Sequence, residues 1–137
     1  MQLKIINGQI ITPTSVLKGG SVLITDGKIT GISESAIEAP GATEIDAGGR
    51  YVSPGFIDIH VHGGGGHDFM DNTVEAFLGI AQLHAKYGTT AMFPTTLSCE
   101  KADLLETLRI YEEADKFNIS GYQFMGIHIE GPYITLN

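Results

Sequence analysis

The sequence predicts an α/β fold, and three observations carry the prediction. Up to about residue 50 the chain is a series of short apolar stretches separated by turn pairs. Beyond that point strand-like runs alternate with segments of helical period, the pattern of βαβ units and a parallel sheet. Two of the later runs, FIDIHVH and FMGIHIEGP, end in polar tips that carry histidine and carboxylate side chains.

The first part contains KIINGQII, SVLITDGKITGI and TEIDAGGRYV, which read as small antiparallel strands. Asn7-Gly8 and Asp26-Gly27 are the residue pairs favoured in two-residue type I′ hairpin turns. A longer strand is expected from Tyr51 to His62, followed by a loop over Gly63 to Gly66. A helix then spans about Thr73 to Tyr87, capped by Asn72 with Glu75 three residues on, and Gly88 ends it. Its apolar stripe is Val74, Phe77, Leu78, Ala81 and Ala85. The next strand is Thr89 to Leu97, and Ser98 is placed to cap a second helix from about Glu100 to Phe117. Leu104, Leu105, Leu108, Tyr111 and Ala114 form the stripe of that helix. A third strand runs from Tyr122 to Glu130.

Composition narrows the class. With 137 residues and 42% hydrophobic side chains, the chain can bury a core of its own. Eight Lys and Arg against sixteen Asp and Glu give a formal charge of -8, which repels phosphate backbones and anionic lipid surfaces. Nucleic acid and membranes are therefore not expected as partners. A lone cysteine, Cys99, leaves no internal disulfide to form and points to a reducing compartment, with the cytoplasm as the expected location. The N-terminal segment is broken by Asn7, Gly8 and Pro13 before any apolar run reaches signal or membrane-spanning length.

Strand parity sorts the chemistry. Side chains alternate across a strand, so Phe56, Asp58, His60 and His62 share one face while Ile57, Ile59 and Val61 share the other. Neutral imidazoles two residues apart can converge on one divalent cation. The same alternation puts Phe124, Gly126, His128 and Glu130 on one face of the third strand, with Met125, Ile127 and Ile129 opposite. Glu130 then falls level with the histidine pair, where a carboxylate binds one metal or bridges two. From spacing alone a structural pair of histidines and a shared metal site both remain open, although an unpartnered buried charge is expensive.

The run IDAGGRYVSPGFIDIHVH resembles the opening of amidohydrolase-superfamily enzymes, in which a small β-sandwich leads into a (β/α)8 barrel through a PGxIDxHxH strand. HIEGPY, residues His128 to Tyr133, is similar to the signature of the N-acetylglucosamine-6-phosphate deacetylase family, and GTTAMFPTTLS looks like that family's second barrel strand. The resemblance implies residues 1–50 as part of the sandwich and residues 51–137 as the first three strands and two helices of a truncated barrel. It implies Glu130 as a metal ligand, His60 and His62 as holders of a second ion in binuclear members, and Asp58 and His128 as residues that orient the ligands. The cofactor would be one or two divalent ions: zinc, iron, manganese or cobalt. The implied reaction removes the N-acetyl group of N-acetylglucosamine 6-phosphate, a small amino-sugar phosphate, to give glucosamine 6-phosphate and acetate.

On the same resemblance the aspartate acting as general base, two further histidine ligands and the phosphate-binding residues lie beyond Asn137. No catalytic residue is expected within the chain, and activity of these residues alone is not expected. The intact enzyme is expected to be a homo-oligomer. A closed barrel needs eight strands and typically about 250 residues, so an exposed edge and an uncovered apolar face should make the isolated chain self-associate. Rival readings are another amidohydrolase, dihydroorotase-like or deaminase-like, and a noncatalytic fragment that pairs with a partner chain. Gly63 to Gly66 lacks the GK[ST] or GxGxxG context of a phosphate loop, and His67, His84 and Cys99 read as structural or inert.

Overall fold

The computed structural model describes residues 1–118 and 122–133. By internal contacts the chain divides into two units, Met1–Pro54 and Gly55–Asn137.

The first unit is one sheet of five strands: β1 (Gln2–Ile11), β2 (Val16–Thr25), β3 (Lys28–Ser33), β4 (Thr43–Asp46) and β5 (Tyr51–Val52). The order is β3-β2-β1-β4, with β5 also paired to β1. The pairs β1–β2 and β2–β3 are antiparallel, but β4 and β5 run parallel to β1, so the expected all-antiparallel arrangement holds only for the first three strands. Asp26 and Gly27 take φ of 50° and 76° and close the β2–β3 hairpin as the sequence suggests. Asn7-Gly8 does not turn the chain. β1 continues through it, with register shifts at Ile5/Gly8 and Gly8/Gln9 and a φ of 55° at Asn7: a bulge rather than a hairpin. The bulge lets the Asn7 carbonyl accept the Gly49 N–H at 2.7 Å. Glycine is needed at position 8 for space, since a Cβ there would stand 2.7 Å from Ile10 Cδ1 and 2.8 Å from Val52 Cγ2.

The second unit begins with β6 (Phe56–Val61), then a small antiparallel hairpin of β7 (Gly63–Gly64) and β8 (His67–Asp68) where a bare loop was expected. The expected single strand from Tyr51 to His62 is thus two. Ser53-Pro54-Gly55 separates them, and β5 pairs with β1 while β6 pairs with β9 (Thr89–Pro94). Helices α1 (Val74–Lys86) and α2 (Lys101–Phe117) precede and follow β9, and β10 (Gln123–Phe124) comes last. The sheet order is β10-β9-β6, all parallel, as βαβ alternation requires. No helix among the described residues is long and apolar enough to cross a membrane.

The α1 cap is Thr73, whose hydroxyl accepts the Ala76 N–H at 3.2 Å, and not Asn72. Asn72 instead sits at φ 53°, ending the 3-10 turn Phe69–Asp71. Glu100 occupies the α2 cap position without a side-chain bond, so Ser98 lies outside that helix. The buried residues are Ala76, Phe77, Ile80 and Ala81 of α1 and Thr107, Ile110 and Ala114 of α2, a face rotated from the stripes expected; Ala85 and Leu105 are exposed. Of these, Phe77, Ile80, Ala81, Ile110 and Ala114 pack with Val61, Phe69, Met92, Tyr122 and Phe124 into one core on the helical side of the sheet.

Candidate metal centre

Val61 joins the core, and the residues on either side of it, His60 and His62, face the opposite way. Ile57 and Ile59 share the Val61 face but are 65% and 70% exposed, because nothing described here covers that end of β6. The third segment behaves differently from a regular strand. Pairing as a ladder stops at Phe124, whose side chain lies in the core against Phe77, Tyr111 and Tyr122. Phe124 therefore does not share the face of His128 and Glu130, contrary to the simple alternation. The reset occurs at Gly126, at φ 137°, where one irregular residue exchanges the two faces of the segment. Tyr111 lies beside this kink; burial first, then the nearby Asp115 charge, raises its pKa, and a backbone hydrogen bond with Gly126 opposes them.

Beyond the kink the segment follows β9 through a bridge between Thr95 and His128 and reaches Glu130. There Glu130 Oε2 lies 3.1 Å from His60 Nε2 and 3.2 Å from His62 Nε2, and the two imidazole nitrogens are 3.2 Å apart. These atoms form a nearly equilateral triangle. With Glu130 ionised, each neutral ring supplies at most one Nε2 proton, so no more than two of the three edges can be hydrogen bonds. Ligands set tetrahedrally about 2.0–2.1 Å from zinc stand roughly 3.3–3.4 Å from one another, close to the triangle's edges. The donor set thus fits a divalent cation, and it is the one group of three or more potential ligands found among the described residues. The side chains are 35–49% exposed, which leaves one side open to solvent.

The remaining residues singled out in the sequence fall around this triangle. His128 packs edge-on to His60 with ring centroids 4.7 Å apart, which restricts the His60 ring without adding a ligand atom to the group. Asp58 is half-buried, and its Oδ1 accepts the His60 backbone N–H at 3.2 Å. The buried His62 Nδ1 has no partner among the described residues. His84 Nε2 lies 3.2 Å from the Gly63 carbonyl, in keeping with the structural role expected of it, and His67 approaches Asp71 at 3.7 Å on the surface. Spacing did not single out Thr95 and Thr96, which are fully buried between the two ligand-bearing segments. Their signal was a pair of β-branched hydroxyls directly after Pro94, which has no N–H to give to the sheet.

No family model matches the chain. The N-acetylglucosamine-6-phosphate deacetylase of Bacillus subtilis is 35% identical over 130 residues, 92% of this chain and 33% of that protein. A dihydroorotase of Listeria welshimeri is 46% identical, but over 56 residues, 41% of this chain and 13% of that protein. Among solved structures, the N-acetylglucosamine-6-phosphate deacetylase from Pasteurella multocida superposes with a TM-score of 0.86 at 25% identity, covering 99% of this chain and 36% of that one. The chain spans about a third of the length of the curated relatives it matches. Along nearly its whole length, this α/β chain is homologous to the N-terminal part of N-acetylglucosamine-6-phosphate deacetylases.

Proposed function

We propose that this chain supplies the first metal ligands of an enzyme that hydrolyses the N-acetyl group of N-acetylglucosamine 6-phosphate to glucosamine 6-phosphate and acetate. The observation that carries the reading is the triangle of His60 Nε2, His62 Nε2 and Glu130 Oε2, with edges of 3.1–3.2 Å. In this reading those three residues hold a divalent cation, zinc, iron, manganese or cobalt. An ion held by these residues would supply Lewis acidity, lowering the pKa of water and favouring negative charge on the amide oxygen. Asp58, through the His60 backbone, and His128, against the His60 ring, keep the imidazole aimed at the ion. The general base and the phosphate-binding residues are assigned to sequence outside this chain.

In this reading residues 1–50 belong to a small β-sandwich and residues 51–137 to the first part of a (β/α)8 barrel, in a cytoplasmic homo-oligomer. Support comes from the parallel order β10-β9-β6 and from polar groups gathered at one end of its strands. The rival dihydroorotase reading has a likeness over 41% of the chain, against 92% for the deacetylase. Mixing the chain with the remaining two thirds of a homologous deacetylase should restore metal-dependent acetate release from N-acetylglucosamine 6-phosphate. If the assembled complex turns over and Glu130→Ala leaves that rate unchanged, the assignment of the carboxylate is wrong.

A further inference from the structure

β9 ends at Pro94 and β10 at Phe124, so the regular ladder runs to the Val61–Pro94 pair on the histidine side but stops well before Glu130 on the other. Beyond Phe124 the His128 N–H donates to the Pro94 carbonyl at 2.8 Å, and the remaining contacts converge on Thr95 and Thr96, both wholly buried. Toward the histidine strand, the Thr95 N–H donates to the Val61 carbonyl at 2.9 Å, and the Val61 N–H donates to the Thr95 hydroxyl at 3.1 Å. That hydroxyl in turn donates to the Phe93 carbonyl at 3.1 Å. Toward the glutamate segment, the Thr96 N–H donates to the His128 carbonyl at 3.0 Å, and the Glu130 N–H donates to the Thr96 hydroxyl at 3.2 Å. The two hydroxyls therefore accept the N–H groups of Val61, which lies between His60 and His62, and of Glu130 itself.

We propose that Thr96, with Thr95 beside it, is a positioning residue that fixes the Glu130 carboxylate against His60 and His62 where the sheet's own ladder has run out. The proposal rests on the metal reading above and adds the device that sets the triangle's edges. With φ 137° at Gly126 and no regular ladder beyond Phe124, the backbone bonds to β9 end at His128, and the Thr96 hydroxyl is the contact that reaches the Glu130 N–H itself. Loss of one hydroxyl would let the carboxylate drift while the core, on the opposite face, stays packed.

The test is titration of the full chain with Co²⁺, read by its visible absorption. Thr96→Val should weaken Co²⁺ binding roughly 10- to 100-fold and change the band intensity, and Thr96→Ser should restore both. Equal binding by wild type and Thr96→Val, with Glu130→Gln weakened, would overturn the positioning role and leave the metal reading standing. Equal binding by wild type and Glu130→Gln would overturn both. A measurement that needs no variant is amide exchange in the cation-free protein: the Glu130 N–H should be protected, and exchange at the rate of an unstructured peptide would sink the proposal.

Discussion

Asn72 Oδ1 accepts the Thr107 hydroxyl at 2.7 Å and so ties the turn before α1 to the middle of α2. The hydroxyl also lies 2.9 Å from the Asp103 carbonyl, and Thr107 is wholly buried. Thr107→Val keeps the shape of the side chain and removes the donor, leaving the Asn72 oxygen short of a partner. The expected cost is about 1–3 kcal/mol in chemical denaturation.

Phe77 sits at the centre of the aromatic packing, tilted against Phe69 at 4.7 Å and edge-on to Phe124 at 6.1 Å. Phe77→Ala opens a cavity that neighbours on two helices and the sheet cannot all close. A loss of about 3–5 kcal/mol is expected, measured by urea unfolding of the second unit.

Cation binding should register as stability. With Zn²⁺ at about a hundred times its Kd, the unfolding free energy should rise by about 2.7 kcal/mol, and a chelator should reverse the gain. His62→Ala and Glu130→Ala should melt at the same temperature with and without the ion.

Arg109 bridges Glu106 at 2.8 Å and Glu113 at 3.0 Å on the exposed face of α2. The Arg109 hydrogen bond lowers the Glu106 pKa below its ordinary 4.5, more than the slight burial raises it. A depressed carboxylate contributes stability above its unfolded pKa and loses it as pH falls through the folded value. Arg109→Met should therefore lower the melting temperature slightly at pH 6, and the difference from wild type should vanish as the pH is taken below the usual carboxylate range. A difference that persisted there would show that packing, not charge, is responsible.

Ile57 and Ile59 are exposed on β6, an edge strand of the β10-β9-β6 sheet. An apolar edge of this kind pairs with other chains. Sedimentation velocity should find the chain self-associated, and the double variant Ile57→Lys, Ile59→Lys should shift it toward monomer. A wild-type monomer at the same concentration would count against the prediction.

The α/β class, both helices, the Asp26-Gly27 hairpin and the residues of the candidate site were legible in the sequence because each is written locally. Periodicity, turn chemistry and alternation along a short strand depend on neighbours within a few positions. Where the reading failed, distant partners decided. Asn7-Gly8 carries a hairpin's residue pair, yet β1 passes through it because Gly49 and Val52 need the space and the acceptor it offers. Asn72 has the chemistry of a helix cap, but Thr107 on another helix claims its side chain. Alternation gave the right facing for His60 and His62 and the wrong one for Phe124, since the count runs through Gly126. The hydroxyls of Thr95 and Thr96 gave no periodic signal at all, their value lying in two backbone N–H groups more than thirty positions away on either side.

The kink at Gly126 separates two selective pressures that a straight strand would have bound together. Upstream, Tyr122 and Phe124 answer to the volume of the hydrophobic interior; downstream, His128 and Glu130 answer to the charge they confront. Because the change of phase is confined to one residue without a side chain, either half can be altered without turning the other over. Any L-amino acid installed there would force the segment to choose which of the two sets keeps its orientation.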